Sequence, residues 1–175
     1  LLIATTIFFK EPPQPADAPP PRSMARVVGD MLLVFGNLRF MAFLVIFSGF
    51  WAMFWQIFYS FPFYVKDVLK YPRFEIMETV DAWTIILVTV PATAFAKRLS
   101  PMKAMTLGFA LATGCWFLMA LVPGSVPVAV AAIALFAIGE ATQAPRYYEY
   151  VADLAPKEQV GTYMGFAFLP VAIGT

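Results

Sequence analysis

The sequence predicts an all-α fold that crosses a membrane several times, and three observations predict it. Of its 175 residues, 61% are hydrophobic and only 13% are charged, whereas a soluble domain sits nearer half apolar and a quarter charged. The apolar residues come in unbroken runs of roughly 17–25, the length an α-helix needs to cross a bilayer core. The links between the runs are short, so neighbouring spans run antiparallel. The chain opens on LLIATTIFF and stops at LPVAIGT, inside an apolar run. Neither end resembles a signal peptide, and the expectation is a fragment cut through two membrane helices.

The elements follow in order. Residues 1–9 read as the end of a span. Residues 10–21, KEPPQPADAPPP, hold six prolines in twelve positions and should be extended, because proline removes the helical N–H donor. SMARVVGDMLLVFGNL places Val27, Val28, Met31, Leu32 and Phe35 at helical spacing. That pattern suits a short helix on the membrane surface or an early start to the next span. Spans are expected at about 40–64, 80–97, 104–122 and 127–151, with a last one beginning near 160. KRLSPMK links the second to the third, and PGSVP the third to the fourth.

The basic residues set the orientation. Nine of the twelve Lys and Arg residues fall in the segment 10–39, in KRLSPMK and after the fourth span. The opposite side keeps Lys66, Lys70 and Arg73, offset by Asp67, Glu75, Glu78 and Asp81. Positive charge collects on the cytoplasmic side, so segment 10–39 is expected there, in a plasma or inner membrane. A Pro-rich cytoplasmic linker of this kind resembles the central connection of a transporter built from two six-helix halves.

Several function classes are excluded. A net charge of +1 gives no basic face for nucleic acid. There is no histidine, which removes the commonest metal ligand and the usual activating base. No phosphate-cradling glycine loop occurs, and the lone Cys115 forms no intrachain disulfide. No enzyme, metal or cofactor is expected; the expected partners are the bilayer, a small solute, protons and the other half of the same protein.

Glu140 carries the functional signal. It stands in LFAIGEATQAP, about 20 Å along its helix counting from Pro127 at 1.5 Å per residue, and therefore near the midplane. A carboxylate there is costly, and such groups mark substrate, ion or proton pathways. The alternative is an acid paired with a cation on another helix, holding the bundle together. Ile133, Phe136, Glu140, Gln143 and Tyr147 share one face at three- and four-residue steps. In the first complete span, Gly49, Ala52, Gln56, Ser60 and Phe63 form a second stripe, suited to close packing or to a pore face. Asp81, near the outer start of its span, reads as a solvated or capping acid. Pro145 permits a bend. Arg146 and Glu149, three apart, make either an ion pair that latches a gate or a snorkelling Arg beside a solvated Glu.

From residue 139, GEATQAPRYYEYVADLAPKEQVGTYMGFAFL resembles the tenth helix, loop and start of the eleventh in proton-dependent oligopeptide transporters of the major facilitator superfamily. The shared frame is Gly139-Glu140, Pro145, Leu154-Ala155-Pro156, Gly161, Met164-Gly165 and Leu169. FWAMFWQ, residues 50–56, is similar to the family's seventh-helix pattern, with Trp55 where the family has an acid. KRLSPMK resembles the basic turn between helices eight and nine.

The resemblance implies the C-terminal six-helix half of a major-facilitator fold, truncated at both ends. It assigns 1–9 to the end of helix six, 10–39 to the cytoplasmic linker, and 40–175 to helices seven to eleven. It implies proton-coupled symport of a peptide-like solute by alternating access. Glu140 would bind substrate and proton, with Gln56, Gln143 and Tyr147 beside it and Pro145, Arg146 and Glu149 at a gate. The competing expectation is a facilitator for sugars, nucleosides or drugs in which Glu140 is structural.

Overall fold

The computed structural model describes Phe8 and residues 23–175. The expected end of a preceding span and the Pro-rich stretch therefore lie outside the described residues, Phe8 apart. Among the described residues every regular element is a helix. In chain order these are α1 (Met24–Gly36), α2 (Leu38–Tyr59), α3 (Phe61–Asp67), α4 (Phe74–Ala96), α5 (Pro101–Leu121), α6 (Val126–Leu154), α7 (Val160–Phe166) and α8 (Leu169–Gly174). Four helical stretches are long and apolar enough to cross a membrane: Leu38–Asp67, Phe74–Ala96, Pro101–Leu121 and Val126–Leu154. The fold is an all-α, multi-span membrane fold.

Local chemistry sets the boundaries. The Ser23 side chain caps α1 by accepting from the Arg26 N–H, satisfying one of the free amides of a first turn. Asn37 separates α1 from α2 and does two things. Its Oδ1 accepts from the Phe40 N–H at 3.2 Å, and its Nδ2 donates to the Tyr163 hydroxyl at 3.1 Å. The cap of one helix is thereby tied to α7. Pro101 and Pro127 stand in the first turns of α5 and α6, where a missing N–H costs nothing. The third link turns at Gly124, whose φ of +81° favours a residue without Cβ.

α4 starts at Phe74, two turns before the apolar run expected from about residue 80. Glu75, Glu78 and Asp81 are thus helical residues. Asp81 is not the water-facing cap expected of it. It lies two turns inside α4 and is partly covered, with Oδ1 buried and unpaired. Met77, one turn earlier, belongs to the buried core, which places this face of α4 against α6.

The most extensive packing joins α5 to α6. On α5, Ala104, Gly108, Ala112 and Cys115 form a buried stripe of small residues, the device that brings membrane helices together closely. At its centre the backbones nearly touch. A Cβ on Gly108 would stand 2.6 Å from the Gly139 carbonyl oxygen and 2.6 Å from the Gln143 Cβ. A Cβ on Gly139 would stand 2.6 Å from the Gly108 carbonyl oxygen. A similar approach seats α8 on α2, where a Cβ on Gly174 would meet the Ser48 carbonyl oxygen at 2.7 Å.

Two apolar clusters fill the bundle. One joins Phe50, Ile57, Phe61, Met77, Cys115, Ile133 and Phe136 near the acidic end. The other joins Val34, Phe40, Phe47, Met105, Tyr147, Val151 and Tyr163 near the basic end. On α6 the first stops at Phe136 and the second resumes at Tyr147. Glu140 and Gln143 fall in the gap between them.

Gly108→Val and Gly139→Val should each destabilise the protein by roughly 1–3 kcal/mol or prevent folding, because an overpacked contact must push two helices apart. Thermal unfolding in detergent, followed by fluorescence-detected size exclusion, measures this. Gly161→Ala is the control, since nothing lies within 4 Å of a Cβ there; it should leave the midpoint unchanged or raise it slightly.

Candidate functional site

Glu140 stands near the middle of the 29-residue α6, partly covered, with buried Ala137 and Ala141 along the same helix. Its Oε2 is buried and has no hydrogen-bond partner. It forms no ion pair among the described residues, so the structural alternative, a cation on a neighbouring helix, has no support within this bundle. An unpaired carboxylate in a low-dielectric surrounding is expensive. The bundle holds this one in place while leaving part of its hydrogen-bonding capacity unused.

Its neighbours on the stripe differ in kind. Gln143, 1% exposed, wedges its Cβ and Cγ beside Gly108 and leaves Oε1 buried without a donor. Tyr147, 2% exposed, stacks on Phe47 with ring centroids 3.9 Å apart and donates its hydroxyl to the Ala167 carbonyl at 2.8 Å. Its polar atom already has a partner in the fold. The sequence stripe is thus a real face, with its free polar groups concentrated at 140–143.

Gln56 stands elsewhere. The stripe Gly49, Ala52, Ser60 and Phe63 lies on the exposed side of α2, with Gln56 half-buried along it. The Gln56 amide is satisfied within its own helix: Nε2 donates to the Ala52 carbonyl at 3.3 Å, and Oε1 accepts from Ser60 Oγ at 2.5 Å. No contact joins Gln56 to Glu140 in the structure. The exposed stripe and the polar gap in α6 are two surfaces, not one pocket.

At the basic end, Arg146 pairs with Glu149. It also donates from Nη2 to the Leu99 carbonyl at 2.7 Å. The snorkelling reading is replaced: Arg146 is 8% exposed and ties the end of α6 to the turn between α4 and α5, while Glu149 remains about half exposed. Pro145, on the exposed side of α6, lacks an N–H, so the Ala141 carbonyl loses its helical donor next to Glu140.

Sequence reasoning missed Asp81. Its carboxylate on α4 lies within electrostatic reach of both Glu140 on α6 and Cys115 on α5. Glu140 is therefore not a solitary acid. Asp81, Thr84 and Val88 follow Met77 at three- and four-residue steps, the spacing that could have placed Asp81 on the packed face. No group of three or more metal-ligating side chains converges among the described residues.

This arrangement has the features of a transporter half: long packed spans, short turns, and one unpaired acid at mid-depth. The family model for the Major Facilitator Superfamily matches residues 1–175. The chain belongs to that superfamily. Neither the curated proteins nor the solved structures give a match. As a major facilitator, a transporter family, the chain is an integral membrane protein whose spans face a lipid bilayer.

Tyr147→Phe and Arg146→Met separate the structural contacts from the free polar groups. Tyr147→Phe should cost about 1 kcal/mol of stability through the lost bond to Ala167. Arg146→Met should cost more than Glu149→Gln, by about 1–3 kcal/mol, because only the former strands the Leu99 carbonyl. Unfolding midpoints of the three variants in detergent give the order.

Proposed function

We propose that this major facilitator chain forms the C-terminal half of a proton-coupled symporter for a small, peptide-like solute, working by alternating access. The observation that carries this reading is Glu140: a mid-span carboxylate with a buried, unpaired oxygen between two apolar clusters. A carboxylate left without a fixed cation can exchange a proton for a substrate's cationic group, each neutralising the charge in turn. The resemblance of residues 139–169 to proton-dependent oligopeptide transporters supports the choice of coupling ion and solute.

In this reading residues 1–9 end helix six, 10–39 form a cytoplasmic linker with α1 at the membrane surface, and α2 to α8 supply helices seven to eleven. The membrane is a plasma or inner membrane, with the Lys- and Arg-rich end inward. The N-terminal half faces the exposed stripe on α2, so Gln56 joins Glu140 and Gln143 around a solute held between the halves. Tyr147 fixes that wall through its bond to Ala167. The Arg146–Glu149 pair, anchored on Leu99, and the bend permitted by Pro145 form the inner latch.

Glu140→Gln in the full-length protein tests it. In proteoliposomes with an inward proton gradient, accumulation of a dipeptide such as dialanine should fall to background. The variant should remain folded and monodisperse, since an amide has the same shape and a lower desolvation cost. Undiminished gradient-driven accumulation would reject the coupling role of Glu140 and favour a facilitator in which the acid is structural.

A further inference from the structure

The polar layer at mid-depth is rich in acceptors and poor in donors. Asp81 Oδ1, Glu140 Oε2 and Gln143 Oε1 are all buried without partners, and Pro145 frees the Ala141 carbonyl beside them. They come from two packed helices: α4 meets α6 through Met77, one turn before Asp81, and the Asp81 carboxylate acts electrostatically on Glu140. Gln143 is 1% exposed, so bulk water does not satisfy its free oxygen. No Lys or Arg among the described residues pairs with either acid. The nearest cation along α6, Arg146, is committed to Glu149 and Leu99.

Buried acceptors without donors call for a ligand that brings N–H groups, and two carboxylates call for a positive charge. Immediately above, one turn from Glu140, Phe136 stacks on Phe50 at 5.5 Å and meets the Trp116 ring edge-on at 6.5 Å. That end of the site suits an apolar or aromatic body, and aromatic faces add attraction for a cation.

We propose that Asp81 and Glu140, with Gln143 as a third acceptor, form a binding site for a protonated primary or secondary amine carried on an apolar body. The proposal rests on the reading of α6 as the wall of a transport pathway and sharpens the solute class. A net cation fits better than a zwitterion, because a second carboxylate on the ligand would face two acids with no counter-charge on this wall. Asp81 is the residue that makes the difference, doubling the negative charge the ligand meets.

The test uses purified full-length protein and three probes of one shape: 2-phenylethylammonium, neutral 2-phenylethanol and anionic 3-phenylpropanoate. Isothermal titration calorimetry should show the ammonium binding at least about tenfold more tightly than the alcohol, the loss expected for one charge-assisted hydrogen bond, with no binding of the carboxylate. Asp81→Asn should weaken the ammonium by about tenfold and leave the alcohol unchanged, and Asp81→Glu should preserve the preference. Equal binding of ammonium and alcohol overturns the proposal, as does a charge preference that survives Asp81→Asn. If proton-driven dialanine accumulation still depends on Glu140 while the ammonium shows no preference, the amine site is wrong and the symporter reading stands. If Asp81→Asn does not fold, the wild-type probe series and Asp81→Glu decide the matter alone.

Discussion

The contact between Gly108 and Gly139 sets the geometry on which the rest of the bundle depends. Two helices of 21 and 29 residues approach there until the carbonyl of each glycine occupies the place of the other's missing Cβ. In a bilayer no hydrophobic force draws helices together, so association relies on close packing and small residues. That crossing fixes the register of α5 on α6. Glu140 follows Gly139 directly, so the contact that holds the helices also fixes the depth and rotation of the acid. Gln143, wedged against Gly108, is placed by the same step.

The two apolar clusters follow from this register. Aromatic rings carry much of both: Phe50 stacks on Phe136 near the acidic end, and Phe47 stacks on Tyr147 near the basic end. Between them the helices place small residues on α5 and polar ones on α4 and α6. The outcome is a bundle firm at both ends with a layer of unused acceptors in the middle. For a member of the Major Facilitator Superfamily such a layer is mechanically sensible. Apolar clusters and the Arg146 anchor keep the half rigid while it rocks, and the unsatisfied groups wait for whatever the facing half and the solute bring.

Much of this was legible in the sequence, for physical reasons. Apolar runs of bilayer length leave little choice but helices, so the four spans stood out, as did the KRLSPMK turn. Glu140 stood out because one carboxylate in such a run is costly enough to demand an explanation. The role of Asp81 was hidden by its context. Glu75, Glu78 and Asp81 resemble a wet helix end when read along the chain, and only packing against α6 covers the third of them. Tyr147 shows the converse. Its place on the Glu140 face was readable, but the bond to the Ala167 carbonyl comes from a helix twenty residues on and leaves no local mark. Arg146 likewise looked like a surface group until the α4–α5 turn supplied a carbonyl for it.

The central claim is that position 140 borders a water-accessible pathway rather than a sealed interior. Cys115 is the only cysteine in the chain, so a Cys115→Ser background allows one thiol to report on it. Glu140→Cys in the full-length protein, reconstituted and treated with a membrane-impermeant methanethiosulfonate, should be modified, and bound solute should slow the reaction. A thiol at 140 that stays unmodified from both faces of the membrane, while Ser100→Cys in the same background reacts, would contradict the account.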